Sequence, residues 1–207
     1  MDILSQIFEQ IRALSWIDWT ATITAIIYVV LAARENIWCW FWGIISCSLW
    51  AYASFVFYNL WMDALLQLFY VLMAIVGWYQ WRLGGNEANE VRPTTHLTVR
   101  EHLLYALILI PATFLFGYFF SEYTTAAATY PDAFTTILSV IATLVLVQKK
   151  LETWLYWVLA DGLYVWLYAR QGAYLFSFLM IIYVIIATEA YFRWKKHMKS
   201  ESAMQGE

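Results

Sequence analysis

W-L-Y-W-V-L-A-D-G-L-Y-V-W-L-Y, residues 154–168, is the stretch on which the reading of this chain turns. It is long, apolar and aromatic, with one acid, Asp161, at its centre. On a helix Trp154, Trp157, Asp161, Tyr164 and Tyr168 recur at i, i+3, i+7, i+10 and i+14, which stacks them on one face. A carboxylate ringed by indoles and phenols can hold an organic cation through charge pairing and cation–π attraction. The plainer alternative is a helix end with an interfacial aromatic belt and an acid that reaches water. Which applies depends on what surrounds the helix.

Composition answers first. Hydrophobic residues make up 63% of the chain and charged residues 13%, with a mean hydropathy of +0.60. Soluble domains run at roughly 45–50% apolar and 25% charged. A soluble core cannot bury this much; a bilayer can. Thirteen Trp and fifteen Tyr fit a chain with many membrane–water crossings, where amphipathic rings accumulate. The net charge of −3 leaves no nucleic-acid footprint. Cys39 and Cys47 have neither a metal-ligand spacing nor a disulfide framework, and His96, His102 and His197 lie outside or at the edges of apolar runs. No metal or cofactor is expected. The N-terminus lacks the basic region of a signal peptide.

Outward from the quoted stretch, seven apolar segments appear, near 17–33, 38–57, 61–81, 103–120, 133–147, 153–169 and 173–193. Several match the roughly 20 residues that cross a bilayer core. Ahead of them, Ile3, Ile7, Phe8, Ile11 and Leu14 share a face of a short interfacial helix within residues 1–16. Connections are tight except 82–102, polar with Gly84-Gly85 and Pro93, and 121–132. With seven crossings, Arg12 and Arg170 fall on one side. Arg34, Arg82, Arg92, Arg100, Lys149, Lys150, Arg193, Lys195, Lys196 and Lys199 fall on the other. Such asymmetry places the N-terminus outside and the C-terminal tail, 197–207, in the cytoplasm.

The chain also repeats itself. At one offset Trp38, Trp40, Trp50 and Tyr52 fall on Trp154, Tyr156, Trp166 and Tyr168. At slightly shorter ones Asp18, Thr22 and Ile23 fall on Asp132, Thr136 and Ile137, and Trp61, Tyr70, Trp78 and Trp81 on Tyr174, Tyr183, Tyr191 and Trp194. The expected domain, 17–196, is thus repeat one (17–81), a linking helix (103–120) and repeat two (132–194). This is an all-α, integral membrane, 3+1+3 architecture of parallel repeats, whose substrate path runs at the repeat interface near the midplane.

Asp161 lies roughly 12 Å into its helix, where an ionisable group is costly unless it meets water or a partner. No Lys or Arg is deep in any apolar segment. Two readings stay open: an Asp held by Ser, Thr or Tyr, or a substrate or ion site. Asp63, Gln67 and Tyr70 share a face, Asp63 reading as a solvated helix start and Gln67 as a helix bridge or a substrate reader. Ser46, Ser48, Thr136 and Ser139 are packing hydroxyls or additional polar contacts. Glu189 is expected to snorkel to water, and Trp78, Tyr79, Trp81, Tyr191 and Trp194 to form an aromatic belt. The expected substrate site is Asp161, Trp154, Trp157, Tyr164, Gln67 and Ser46. Enzyme signatures such as H-E-x-x-H and G-x-S-x-G are absent. Aromatics rather than polar rings argue against a channel.

E-N-I-W-C-W-F-W-G-I-I (35–45), G-W-Y-Q-W (77–81), P-D-A-F-T-T (131–136) and E-T-W-L-Y-W-V-L-A-D (152–161) resemble the Pnu family of vitamin transporters, over about residues 17–196. The resemblance implies a seven-helix bundle akin to the sugar-transporting SWEET proteins, a homotrimer in the lipid of the inner membrane, and facilitated diffusion. It further implies trapping of the vitamin by a cytoplasmic kinase. Relatives move nicotinamide riboside, thiamine or riboflavin. Some have asparagine near Ser46 and Ala74 and in place of Asp161. Nicotinamide riboside ranks first on the family's majority. Thiamine, also a ring cation, follows closely, and neutral riboflavin third. Proton-coupled symport is the alternative mechanism.

Overall fold

A computed structural model describes residues 3–84, 92–123 and 129–204. Among them are eight helices: α1 (Ile3–Ala13), α2 (Trp16–Ala33), α3 (Cys39–Val56), α4 (Trp61–Leu83), α5 (Val99–Tyr123), α6 (Thr129–Val147), α7 (Thr153–Arg170) and α8 (Tyr174–Met204). The expected segments match closely, and α8 runs on through most of the expected tail. Gly85 and the middle of the 121–132 connection lie outside the described residues. The chain is an all-α, multi-pass membrane protein.

Local chemistry sets the boundaries. Ser15 caps α2 in a capping box, its backbone N–H donating to Asp18 Oδ2 at 2.8 Å while Asp18 N–H donates to Ser15 Oγ at 3.3 Å. Four short turns return the chain, and each carries one residue of left-handed backbone: Glu35 (φ 56°), Asn59 (φ 55°), Lys149 (φ 56°) and Gly172 (φ 74°). The polar connection before α5 is stitched down. Thr95 N–H donates to the Lys149 carbonyl at 3.2 Å, and Leu151 N–H to the Thr95 carbonyl at 2.9 Å.

Six helices, α2 to α6 and α8, are long and apolar enough to cross a membrane. The seventh expected span, α7, misses on apolarity because it mixes Trp and Tyr with Asp161 and Arg170. Helices α2–α4 pack in sequence, as do α6–α8; α4 meets α6 and α2 meets α8, while α5 packs on α6 and α1 on α8.

The core departs from expectation where the two groups meet. Trp81 and Trp194, expected in the belt, are wholly buried. Trp81 Nε1 donates to the Leu146 carbonyl at 3.1 Å, and Trp194 Nε1 to the Ala32 carbonyl at 3.2 Å. Each carbonyl also accepts a turn N–H, from Lys149 and Glu35 respectively, at 2.9 Å, so the indole takes the second lone pair of a carbonyl at a helix end. Tyr79 does sit outside, 66% exposed. Trp40 packs edge-on against Trp81 at 5.3 Å, as Trp154 does against Trp194 at 5.4 Å. Trp40, not the Trp38 that the sequence alignment pairs with Trp154, makes the matching contact; Trp38 packs on Trp78.

Candidate functional site

Between the two helix groups lies a cavity of about 360 Å³, within the range of small-molecule sites. Five of the six expected residues line it: Asp161, Trp154 and Trp157 on α7, Gln67 on α4 and Ser46 on α3. The sixth, Tyr164, is not in the lining. It stacks on Tyr168, which is, at 5.6 Å with planes 16° apart. A helix face is wider than a cavity wall, so a shared face does not guarantee a shared lining.

Asp161 is 5% exposed. Among the described residues it has no hydrogen-bond or ion-pair partner. The reading in which Ser, Thr or Tyr holds it therefore finds no such bond, and the Ser and Thr hydroxyls of this region are committed to backbone carbonyls. Ser46 donates to the Ala21 carbonyl at 2.9 Å, Ser139 to Thr135 and Thr143 to Ser139, each at 2.8 Å. Gln67, Tyr28, Tyr70 and Tyr183 line the same cavity, and none of their polar atoms has a hydrogen-bond partner among the described residues. Buried polar groups are normally paired. Here Asp161 is buried and the other four are half-buried with their side chains on the cavity, so the five unpaired groups converge on one space that water or a ligand can complete.

Asp63 departs from the solvated helix start expected of it: it lines the cavity and accepts from Ser54 Oγ. Among the described residues the lining thus holds two carboxylates and no Lys, Arg or His. Tyr28, Trp40, Trp50 and Tyr183 were not in the expected site. Tyr183 had a signal, since it matches Tyr70 in the internal alignment; Tyr28 had none beyond being one tyrosine in an aromatic chain. Glu189 accepts from Arg193 at 2.6 Å on an exposed surface, in keeping with a group that reaches water. Among the described residues no cluster of His, Cys, Asp or Glu fits a metal ion.

Comparison with known proteins adds independent findings. The family described as Nicotinamide mononucleotide transporter matches residues 15–196. The chain is 28% identical to the nicotinamide riboside transporter PnuC of Neisseria mucosa over 91% of its length and 75% of the relative's. It is 27% identical to PnuC of Escherichia coli, over 87% of this chain and 85% of that one. The riboflavin/roseoflavin transporter RibM of Streptomyces davaonensis is 25% identical, over 81% and 79%. A crystal structure of the vitamin B3 transporter PnuC superposes with a TM-score of 0.71 at 26% identity, covering 96% of this chain and 90% of the other.

Proposed function

The chain belongs to the nicotinamide mononucleotide transporter family, and on that premise we propose that it takes up a cationic vitamin, nicotinamide riboside first, by facilitated diffusion. It is a membrane transporter and not an enzyme. The observation that carries the substrate is Asp161: among the described residues, a buried carboxylate with no partner, in an aromatic cavity lined by no basic side chain. A ring cation supplies the missing charge, and indole and phenol faces add roughly 0.5–2 kcal/mol each when desolvated. A phosphate would meet two acids and no positive side chain, which disfavours the phosphorylated form. Thiamine satisfies the same chemistry and stands second. Riboflavin is named for one relative but gives Asp161 no cation to meet.

The proposed architecture is seven spans, α7 included, arranged 3+1+3 with 17–81 and 132–194 as parallel repeats and α5 as the link. Several pairings at nearly constant offset support it. Glu35 and Lys149 share φ 56°, and Asn59 and Gly172 both have positive φ. The indoles of Trp81 and Trp194 bond the carbonyls of Leu146 and Ala32 reciprocally. Helix α7 is flanked by α6 and α8 through short turns, and its aromatics lower its hydropathy without exposing it to water. The basic residues favour an inner-membrane protein with N-terminus outside and C-terminus inside. A homotrimer and trapping by a cytoplasmic kinase complete the proposal; light scattering in detergent tests the first, and uptake in kinase-deficient cells the second.

Calorimetry tests the site. Nicotinamide riboside and thiamine are titrated into the wild type and Asp161→Asn, with riboflavin as the uncharged control. Asparagine keeps the shape and removes the charge. A tenfold or greater loss, about 1.4 kcal/mol, for whichever cation binds is expected. Unchanged affinity in a folded variant returns Asp161 to a structural role.

A further inference from the structure

The cavity stops, at the end of the bundle rich in Lys and Arg, against Trp40 and Trp154, which pack edge-on against the buried indoles of Trp81 and Trp194 and form with them a wall of four. Trp81 and Trp194 meet across it at 5.8 Å, each bonded to a carbonyl of the opposite helix group. Behind them Lys149 Nζ lies 2.8 Å from Glu35 Oε2, both side chains nearly buried. Glu35 is in the α2–α3 turn and Lys149 in the α6–α7 turn, so the pair joins the two groups directly. The ammonium also sits over the Trp81 and Trp194 rings, at 5.3 and 5.9 Å. Two further elements hold the carboxylate: His197 of α8, its Nδ1 3.0 Å from Glu35 Oε1, and Thr94, whose hydroxyl donates to Oε2 at 3.1 Å.

As a stabiliser this arrangement is poor. Desolvation offsets much of the attraction in a buried ion pair, and well-packed apolar residues would hold the helices as firmly. Both residues also adopt left-handed backbone, unfavourable away from glycine. In the same wall, the indole N–H groups of Trp40 and Trp154 are buried without a partner. Orphaned donors, strained backbone and a costly ion pair in one place fit an arrangement with a second state. What an ion pair offers over apolar contact is reversibility. Once water enters, each charge is solvated and the attraction falls with the rising dielectric.

We propose that Glu35 and Lys149 are the latch of a gate at this end of the cavity, closed in this structure and opened in each cycle to release substrate. The proposal rests on the transporter reading, but its test needs no vitamin. Cys47 lines the cavity, and Cys39→Ala leaves it as the sole thiol. A membrane-impermeant maleimide is applied to right-side-out and inside-out vesicles, and the rate of Cys47 labelling is read from each side. From the Lys/Arg-rich side labelling is slow in the parent. It rises about tenfold in Glu35→Gln and in Lys149→Gln, and returns toward the parent rate in the charge-exchanged double variant Glu35→Lys/Lys149→Glu. Trp194→Phe, which keeps both charges but removes the bond to Ala32, raises it as well and serves if a charge variant misfolds. Unchanged labelling from that side in variants that keep the parent's gel-filtration profile overturns the latch, as does an increase confined to the opposite side.

Discussion

Gly77 shows how closely single residues are fitted against the site. A Cβ there would come within 2.5 Å of the Trp40 ring, and that ring is held against Trp81 in the wall of the cavity. Gly162, next to Asp161, has nothing within 4 Å of the same added atom. Both are mid-helix glycines, so alanine improves helix propensity by up to about 1 kcal/mol at either. At position 77 overpacking of roughly 1–3 kcal/mol outweighs that gain. Gly77→Ala is expected to lower the melting temperature by several degrees and Gly162→Ala to leave it level or raise it, measured by thermal unfolding in detergent. Equal shifts for the two would mean that the Trp40 ring yields freely.

At the scale of elements, α1 is more than a greasy leader. Its Gln10 side chain reads the α7–α8 turn as a backbone would: Nε2 donates to the Gly172 carbonyl at 2.7 Å, and Oε1 accepts from Leu175 N–H at 2.9 Å. That N–H belongs to the first turn of α8, one of the donors a helix leaves without an internal partner. Gln10→Ala removes both bonds, each worth about 0.5–1.5 kcal/mol net. Amide exchange across Ile3–Ala13 should then accelerate about tenfold or more, while α2 and α8 keep their protection. If exchange in α1 is unmoved, apolar contact alone holds it. Helix α5 is the opposite case. It packs on α6 and leaves most of its surface exposed, as suits the linking role proposed for it.

For the whole molecule the proposals concern direction and energy. With the N-terminus outside, a cysteine at Ala126, which lies outside the described residues, should react with an impermeant thiol reagent added to intact cells. Labelling only after permeabilisation would reverse the orientation. Uniport predicts that labelled vitamin equilibrates in both directions across proteoliposomes with no ion gradient. Accumulation dependent on a proton gradient would instead make Asp161 a proton carrier and favour symport.

Composition and periodicity alone established the class and most helix boundaries to within a few residues, the far end of α8 excepted, and they singled out the acid and the aromatics that the structure brings to one cavity. Those properties follow from local rules: apolar runs long enough for a bilayer, caps and turns at their ends, and one charge where charge is costly. Tertiary structure decided what contact decides. Trp81 and Trp194 read as belt residues because an indole near a helix end suits an interface equally well; only the meeting of α4 with α6 and α2 with α8 supplies the carbonyls that draw them inward. Asp63 looked solvated because one sequence cannot show that the first turn of α4 brings this one side chain to a cavity. Lys149 read as one of ten charges on the basic side, and its place over two indoles beside Glu35 required two turns, far apart in the chain, to meet. A long-range ion pair leaves no trace in local spacing, since each partner satisfies the same polar turn pattern with or without the other.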